Sequence, residues 1–136
     1  PNDNLYARMW HLPAINLPAA WELERGTSAA VTVAVLDTGI ISHPDLTPRV
    51  LPGADLISDV ASALDGDGRD MDPTDPGGDR PNGDSSWHGS HCAGTIGAAT
   101  DNSQGIAGVN WNARLVPVRV LGKGGGSDLD IIAGMT

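Results

Sequence analysis

The sequence has 136 residues, with 18 glycines, 10 prolines, no phenylalanine and a formal net charge of −9. That length supports one modest domain. The acidity argues against nucleic acid and anionic membranes as partners, and the single cysteine excludes an internal disulfide. No stretch has the length of a transmembrane span, and no basic-plus-apolar leader opens the chain.

Residues 1–13 run from polar to aromatic with no regular period. Ile15 to Arg25 then carries apolar residues at Ile15, Ala19, Ala20, Trp21 and Leu23, with Pro18 suited to a first turn and Gly26 to a stop. This predicts a short amphipathic helix. Val31 to Leu36 is a β-branched apolar run, the mark of a parallel strand buried on both faces. It delivers Asp37-Thr38-Gly39 at its carboxyl end, where ligands of such sheets bind, and the Thr38 hydroxyl is placed to donate to the Asp37 carboxylate. Val50 to Ile57 reads as a weaker strand containing Gly53.

Residues 59–86 are the least regular part. Asp65 to Asp79 is acid-rich with no apolar run. It reads either as a solvated loop or as a cation loop, since Asp-x-Asp-Gly places carboxylates at alternate positions around a tight turn. Asp55, Asp65, Asp67, the Arg69 carbonyl, Asp70 and Asp72 are the candidate ligands.

Trp87 to Ala99 is uncharged and rich in small residues, preceded by the N-cap candidates Asp84-Ser85-Ser86. It predicts a buried helix packed closely on its neighbours, with His88 in the first turn. His88 and His91 stand at i and i+3, but Gly89 occupies the place where a zinc protease carries its Glu, so zinc is not expected. Cys92 reads as a buried core thiol. The helix runs out in the polar loop from Ala99 to Gly108. Leu115 to Leu121 is the next parallel strand, in which Pro117 calls for an edge or a bulge. Gly122 to Gly126 holds four glycines in five residues. It reads either as a flexible linker or as a bare backbone edge able to pair with an extended peptide. Ser127 caps a last helix with Asp128 and Asp130 in its first turn and Ile131, Ile132 and Met135 on its apolar face. The sequence stops at Thr136 after little more than two turns of that helix.

A strand delivering Asp37 and a helix start delivering His88 are two of the three parts of a Ser-His-Asp machine, in which imidazole takes a proton from the nucleophile and carboxylate fixes its tautomer. Asp-Thr-Gly also marks aspartic proteases. Those need two facing aspartates sharing a proton, which here would require a homodimer.

Asp37-Thr38-Gly39, His43-Pro44-Asp45-Leu46 and His88-Gly89-Ser90-His91-Cys92-Ala93-Gly94 together resemble the subtilisin-like serine proteases. Cys92 and the opening Pro1-Asn2-Asp3 resemble the thermitase and proteinase K branch most. Ser90 departs from the family's usual Thr, and no catalytic-serine motif occurs within these residues. The resemblance implies a three-layer α/β/α fold with a mostly parallel sheet, of which this is the N-terminal part. It implies a secreted, extracellular endopeptidase working through an acyl-enzyme, with Asp37 as orienter, His88 as general base and His43 and His91 as structural histidines. The serine, the oxyanion-hole Asn and most of the specificity pocket are expected from a C-terminal chain of the same protease.

The resemblance also implies Ca2+. One site would take the side chains of Asp3, Asp45 and Asn102, the Gln104 side chain or carbonyl, and the carbonyls of Ala99 and Ile106. The other would use the 55–72 acids, Asp55 matching best. Calcium is expected to stabilise the fold and slow autolysis. Gly124, Gly125 and Gly126 are expected to bind a peptide or protein substrate upstream of the scissile bond, with Leu121 lining the neighbouring apolar pocket. The remaining alternatives are a non-catalytic calcium-binding fragment and the homodimeric aspartic protease.

Overall fold

The structure is a computed structural model that describes residues 1–136. Its elements are a 3-10 helix at Tyr6–Arg8, α1 (His11–Ala14), α2 (Leu17–Leu23), β1 (Thr32–Asp37), β2 (Ala54–Asp55), α3 (Val60–Ala63), α4 (His88–Gly97), β3 (Arg114–Arg119) and α5 (Asp128–Gly134). The strands form one three-stranded sheet in the order β1-β3-β2, and β2 pairs with β3 in parallel, Ala54 against Val118 and Asp55 against Arg119. This is the expected α/β arrangement. No helix is long and apolar enough to cross a membrane.

Two compact units are present: Pro1–Val33, Ser42–Val50 and Ala93–Leu115 in the first, and Ala34–Ile41, Leu51–Cys92 and Val116–Thr136 in the second. The first unit buries Met9, Leu12, Trp21 and Ala107, with Tyr6, Leu17, Ile106, Val109 and Trp111 packed against them. Trp21 meets Trp111 edge-on at 5.5 Å and donates its indole N–H to the Val109 carbonyl at 2.8 Å, so its polar tip is satisfied as its ring is buried. The stretch without a visible period holds the 3-10 helix and α1, both too short to show one. Asn16, at φ 57°, breaks the backbone before α2, which is why the predicted helix begins at Leu17 and not at Ile15. Of its expected apolar face only Trp21 is buried; Leu23 is 90% exposed.

β1 buries only Val35 and Asp37, with Thr32 and Ala34 exposed, so the expectation of burial on both faces fails for β1. It holds better for the central strand β3, where Leu115, Pro117, Val118 and Arg119 are all buried. Pro117 sits at a bulge. Val50 bridges Leu115 and Ala54 pairs with Val118, so one extra residue stands on the 50–55 side. The predicted 50–57 strand is therefore broken, and only β2 remains regular. Gly53 lies against Pro117, where a Cβ would come within 1.9 Å of the proline carbonyl. A proline without an N–H loses nothing where the ladder is already interrupted.

α4 begins at His88, whose N–H donates to Ser86 Oγ at 3.3 Å. Its later turns belong to the first unit and need small residues there. A Cβ on Gly97 would lie 2.8 Å from that of Ala113, and one on Gly94 would lie 3.2 Å from Ile106 Cδ1. α5 starts as expected, with Ser127 Oγ accepting from the Asp130 N–H at 3.1 Å. Its apolar face does not close. Leu129, Ile132 and Met135 are exposed, Ile131 is half-buried, and the deeply buried side chain is Asp130.

Candidate active site

In the second unit, the end of β1 and the start of α4 bring Asp37 and His88 together. His88 Nδ1 stands 2.8 Å from both Asp37 carboxylate oxygens. Asp37 is buried, while the His88 side chain is 61% exposed. An ionised carboxylate only accepts, so Nδ1 carries the proton and Nε2 keeps its lone pair for a proton acceptor's work. The Thr38 N–H donates to Asp37 Oδ1 at 2.7 Å, which fixes the carboxylate from its own chain. The Thr38 hydroxyl does not hold Asp37, contrary to expectation. It donates to Asp75 Oδ2 at 2.7 Å and accepts from the Gly89 N–H at 3.0 Å. A second tie joins the same two segments, Ile41 N–H donating to Ser90 Oγ at 2.9 Å. The hydroxyl that replaces the family's Thr thus keeps a structural partner.

Cys92 lies one helical turn after His88, its Sγ 3.7 Å from His88 Nδ1. Asp37, His88 and Cys92 are the one acid, imidazole and thiol group whose ligand atoms all lie within 4.8 Å of one another. His91 is not part of it. Burial, and then the negative charge of Asp37, push the Cys92 thiol up from its ordinary value. The thiolate needed for nucleophilic or metal chemistry is disfavoured. His43 Nδ1 accepts from the Asp45 N–H at 3.2 Å, the structural role expected of it.

The residues of the first predicted calcium site all fall in the first unit. Asp3 and Asp45 are 5% and 2% exposed. Asp3 accepts from the Asp101 N–H with both oxygens at 3.1 and 3.0 Å. Asp45 accepts from Asn102 Nδ2 at 2.8 Å and from the Ile106 N–H at 2.9 Å, and its carbonyl accepts from the Ala99 N–H at 2.8 Å. Asn102 Oδ1 accepts from the Gln104 N–H at 2.9 Å. Gly105, at φ +47°, makes the loop possible: a Cβ there would lie 2.2 Å from Asp45 Oδ2. No cationic side chain pairs with either carboxylate. Two buried acids with no counter-charge suit a hard cation held by oxygen donors.

The acid loop divides. Asp65, Asp67, Asp70 and Asp72 line one pocket of ≈ 190 Å³ with Thr74 and Pro76. Asp55 and Arg69 are not among its lining residues. Asp55 is fully buried and ion-paired to Arg119, whose guanidinium also reaches Asp65 at 2.5 Å and the Ala63 carbonyl. Arg119 Nε donates to the Thr38 carbonyl at 3.1 Å, tying the acid loop to the turn after Asp37. Arg69 turns its side chain away, donating to the Leu56 carbonyl at 2.9 Å and to Asp130 at 2.7 Å.

Gly124, Gly125 and Gly126 line a pocket of ≈ 320 Å³ with Ile57, Ser58, Ser62 and Asp130 among others. Leu121 is not on that lining; its N–H donates to the Asp37 carbonyl at 3.1 Å. Gly122 and Gly125 exchange N–H···O bonds at 2.9 and 3.1 Å, so the start of the glycine run is a tight turn and not a flexible linker. Arg119 and Asp75 are the residues that sequence reasoning missed. A signal existed for Arg119, a charge inside an apolar strand run. Asp75 was one acid among many in an irregular loop.

The Subtilase family model matches residues 28–136. The "Extracellular basic protease" of Dichelobacter nodosus is 45% identical over 99% of this chain and 25% of its own length. "Thermitase" of Thermoactinomyces vulgaris is 33% identical over 98% of this chain and 41% of its own length. A solved protease structure from Pseudoalteromonas arctica matches at TM-score 0.90 and 48% identity over 99% of this chain and 43% of that one. An "Extracellular protease" of Xanthomonas campestris is 44% identical over 96% of this chain, so the chain spans about a quarter of the length of this relative and of the Dichelobacter one, 24% and 25%. The family model covers most of these residues, and the chain belongs to the subtilase family.

Proposed function

We propose that these residues form the Asp- and His-bearing part of a secreted serine endopeptidase, with the nucleophilic serine supplied by another part of the same protein. The observation that carries this is His88 Nδ1 at 2.8 Å from both Asp37 oxygens on an otherwise exposed ring. His88 Nε2 takes the proton of the serine hydroxyl as its oxygen attacks the peptide carbonyl carbon. Asp37 stabilises the imidazolium that forms. The proton then passes from Nε2 to the leaving amine, the C–N bond breaks, and an acyl-enzyme remains. Water, deprotonated by the same nitrogen, then attacks the acyl carbon; the ester C–O bond breaks, the proton returns from Nε2 to the serine oxygen, and the acid leaves. The Gly124–Gly126 backbone is the proposed contact for the peptide upstream of the scissile bond. Extracellular location is supported by two relatives, the "Extracellular basic protease" of Dichelobacter nodosus and the "Extracellular protease" of Xanthomonas campestris.

Ca2+ bound by Asp3, Asp45, Asn102 and Gln104 with the Ala99 and Ile106 carbonyls would supply counter-charge to the buried acids. Asp65, Asp67, Asp70 and Asp72 are the proposed donors of the second site. The aspartic-protease alternative is disfavoured by geometry, since Asp37 faces an imidazole and not a second carboxylate.

Hydrolysis of a peptide substrate by the full-length protein tests the reading. A sulfonyl fluoride should abolish it and pepstatin should not. Asp37→Asn should lower kcat by about ten-thousandfold. Activity blocked by pepstatin, or unchanged in Asp37→Asn, would overturn the reading. Calcium-dependent stabilisation without peptidase activity would favour the non-catalytic alternative.

A further inference from the structure

We propose that Asp75 is a positioning residue for the catalytic pair, acting through the Thr38 hydroxyl; the inference rests on the serine-protease reading above. Asp75 is 4% exposed and has no cationic partner. Its Oδ1 accepts from the Gly77 N–H at 2.8 Å and its Oδ2 from Thr38 Oγ1 at 2.7 Å. Its backbone is fixed on the same segment, the Asp75 N–H donating to the Ile40 carbonyl at 3.0 Å and the Ile40 N–H to the Pro73 carbonyl at 3.0 Å. A buried carboxylate so arranged is not a solvated loop acid.

The consequence follows from hydrogen counting. A threonine hydroxyl has one proton, and an ionised carboxylate can only accept. Asp75 therefore accepts the one hydrogen bond that the Thr38 hydroxyl can donate and turns the oxygen's lone pairs elsewhere. One of them meets the Gly89 N–H at 3.0 Å. Gly89 is the second residue of α4, where backbone N–H groups have no partner within the helix. Thr38 thus caps α4 from β1's end, and Asp75 sets the polarity of that cap. The same residue holds Asp37 through its N–H and is held at its carbonyl by Arg119. The element carrying His88 is registered to the residue carrying Asp37 through one hydroxyl whose direction Asp75 decides. Replacing the carboxylate by an amide lets the partner donate, which sends the hydroxyl proton toward the Gly89 N–H and opens the cap.

The test uses the full-length protein and compares Asp75→Asn, Thr38→Val, Thr38→Ser and the Asp75→Asn/Thr38→Val double variant, with His88→Ala as reference. Misplacement of the pair without loss of substrate contacts should appear in kcat. Asp75→Asn and Thr38→Val should each lower it about ten- to a hundredfold with KM little changed. Thr38→Ser, which keeps the hydroxyl, should restore it. The double variant should be no worse than Thr38→Val alone, because both act through one hydrogen bond. If Asp75→Asn does not fold, the Thr38→Val and Thr38→Ser pair decides. Unchanged kcat in Asp75→Asn and Thr38→Val, losses confined to KM, or additive losses in the double variant would overturn the role of Asp75. Full activity in His88→Ala would instead overturn the protease reading itself.

Discussion

Gly89 is pressed against Gly39: a methyl group on Gly89 would stand 2.2 Å from the Gly39 carbonyl oxygen and 3.2 Å from the Asp37 Cβ. The backbone turn that follows Asp37 and the first turn of α4 meet with no side chain between them. That contact is what permits a 2.8 Å approach of His88 to Asp37. Helix propensity alone would favour alanine at Gly89 by about 1 kcal/mol, yet the neighbour is backbone and cannot step aside. Gly89→Ala should destabilise by about 1–3 kcal/mol and cost full-length activity more than hundredfold. Thermal unfolding and kcat measured together check this; a stabilised, fully active variant would contradict it.

Calcium should act on the first unit through its two buried carboxylates. Adding Ca2+ should raise the unfolding temperature, and Asp45→Asn should remove most of that increment while leaving the protein folded. Asp45 is the sharper choice because one residue touches Ala99, Asn102 and Ile106. Differential scanning calorimetry with Ca2+ and with chelator, on the protein and the variant, reads the difference directly. An equal shift in both would remove Asp45 from the site.

Cys92 should be chemically quiet. Burial and the Asp37 charge hold its thiol above the ordinary value, so little thiolate exists at neutral pH. Alkylation by iodoacetamide at pH 7 should be slow in the folded protein, and Cys92→Ala should retain activity within about threefold while losing about 1 kcal/mol of packing. Fast alkylation with parallel loss of activity would show that the thiol takes part.

Asp130 ties α5 to the acid loop and should give stability a pH dependence. The Arg69 guanidinium at 2.7 Å holds its carboxyl down at about 2, from an ordinary 3.8. A group with a lowered folded pKa contributes its stability fully above the unfolded value and loses it as pH falls through the folded one. Asp130→Asn should therefore cost about 1–3 kcal/mol at pH 6, and the gap to the parent protein should close between pH 3.8 and about 2. Urea unfolding midpoints of the two proteins across that range measure it. A gap independent of pH would assign the loss to packing alone.

The Asp37–His88 pair is readable in the sequence because one member closes a strand and the other opens a helix. Strand burial and helix capping leave strong local patterns, and Asp37 and His88 sit at their ends. The partners of the buried side chains Asp75, Arg119 and Asp130 are not readable, because they lie 37, 64 and 61 residues away. Local pattern carries no trace of such distant pairing. Thr38 shows the same limit at close range. Adjacency suggests that its hydroxyl serves Asp37, while the fold sends that hydroxyl to Asp75 and gives Asp37 the backbone N–H instead. Pro117 is legible as an irregularity but not as the residue facing a bulge in the 50–55 segment, since that depends on the register between that segment and β3. The face of α5 is misleading in the sequence because an apolar period cannot show that the buried position is an acid paired to Arg69.

In the proposed reaction Asp37 and His88 together form the working base of a serine protease. The most direct measurement is mass spectrometry of the full-length protein after a fluorophosphonate label, beside His88→Ala. The expected result is one covalent adduct on a serine outside residues 1–136, strongly reduced in His88→Ala. A hydrolytically active protein that takes no label, or one labelled equally well without His88, would contradict it.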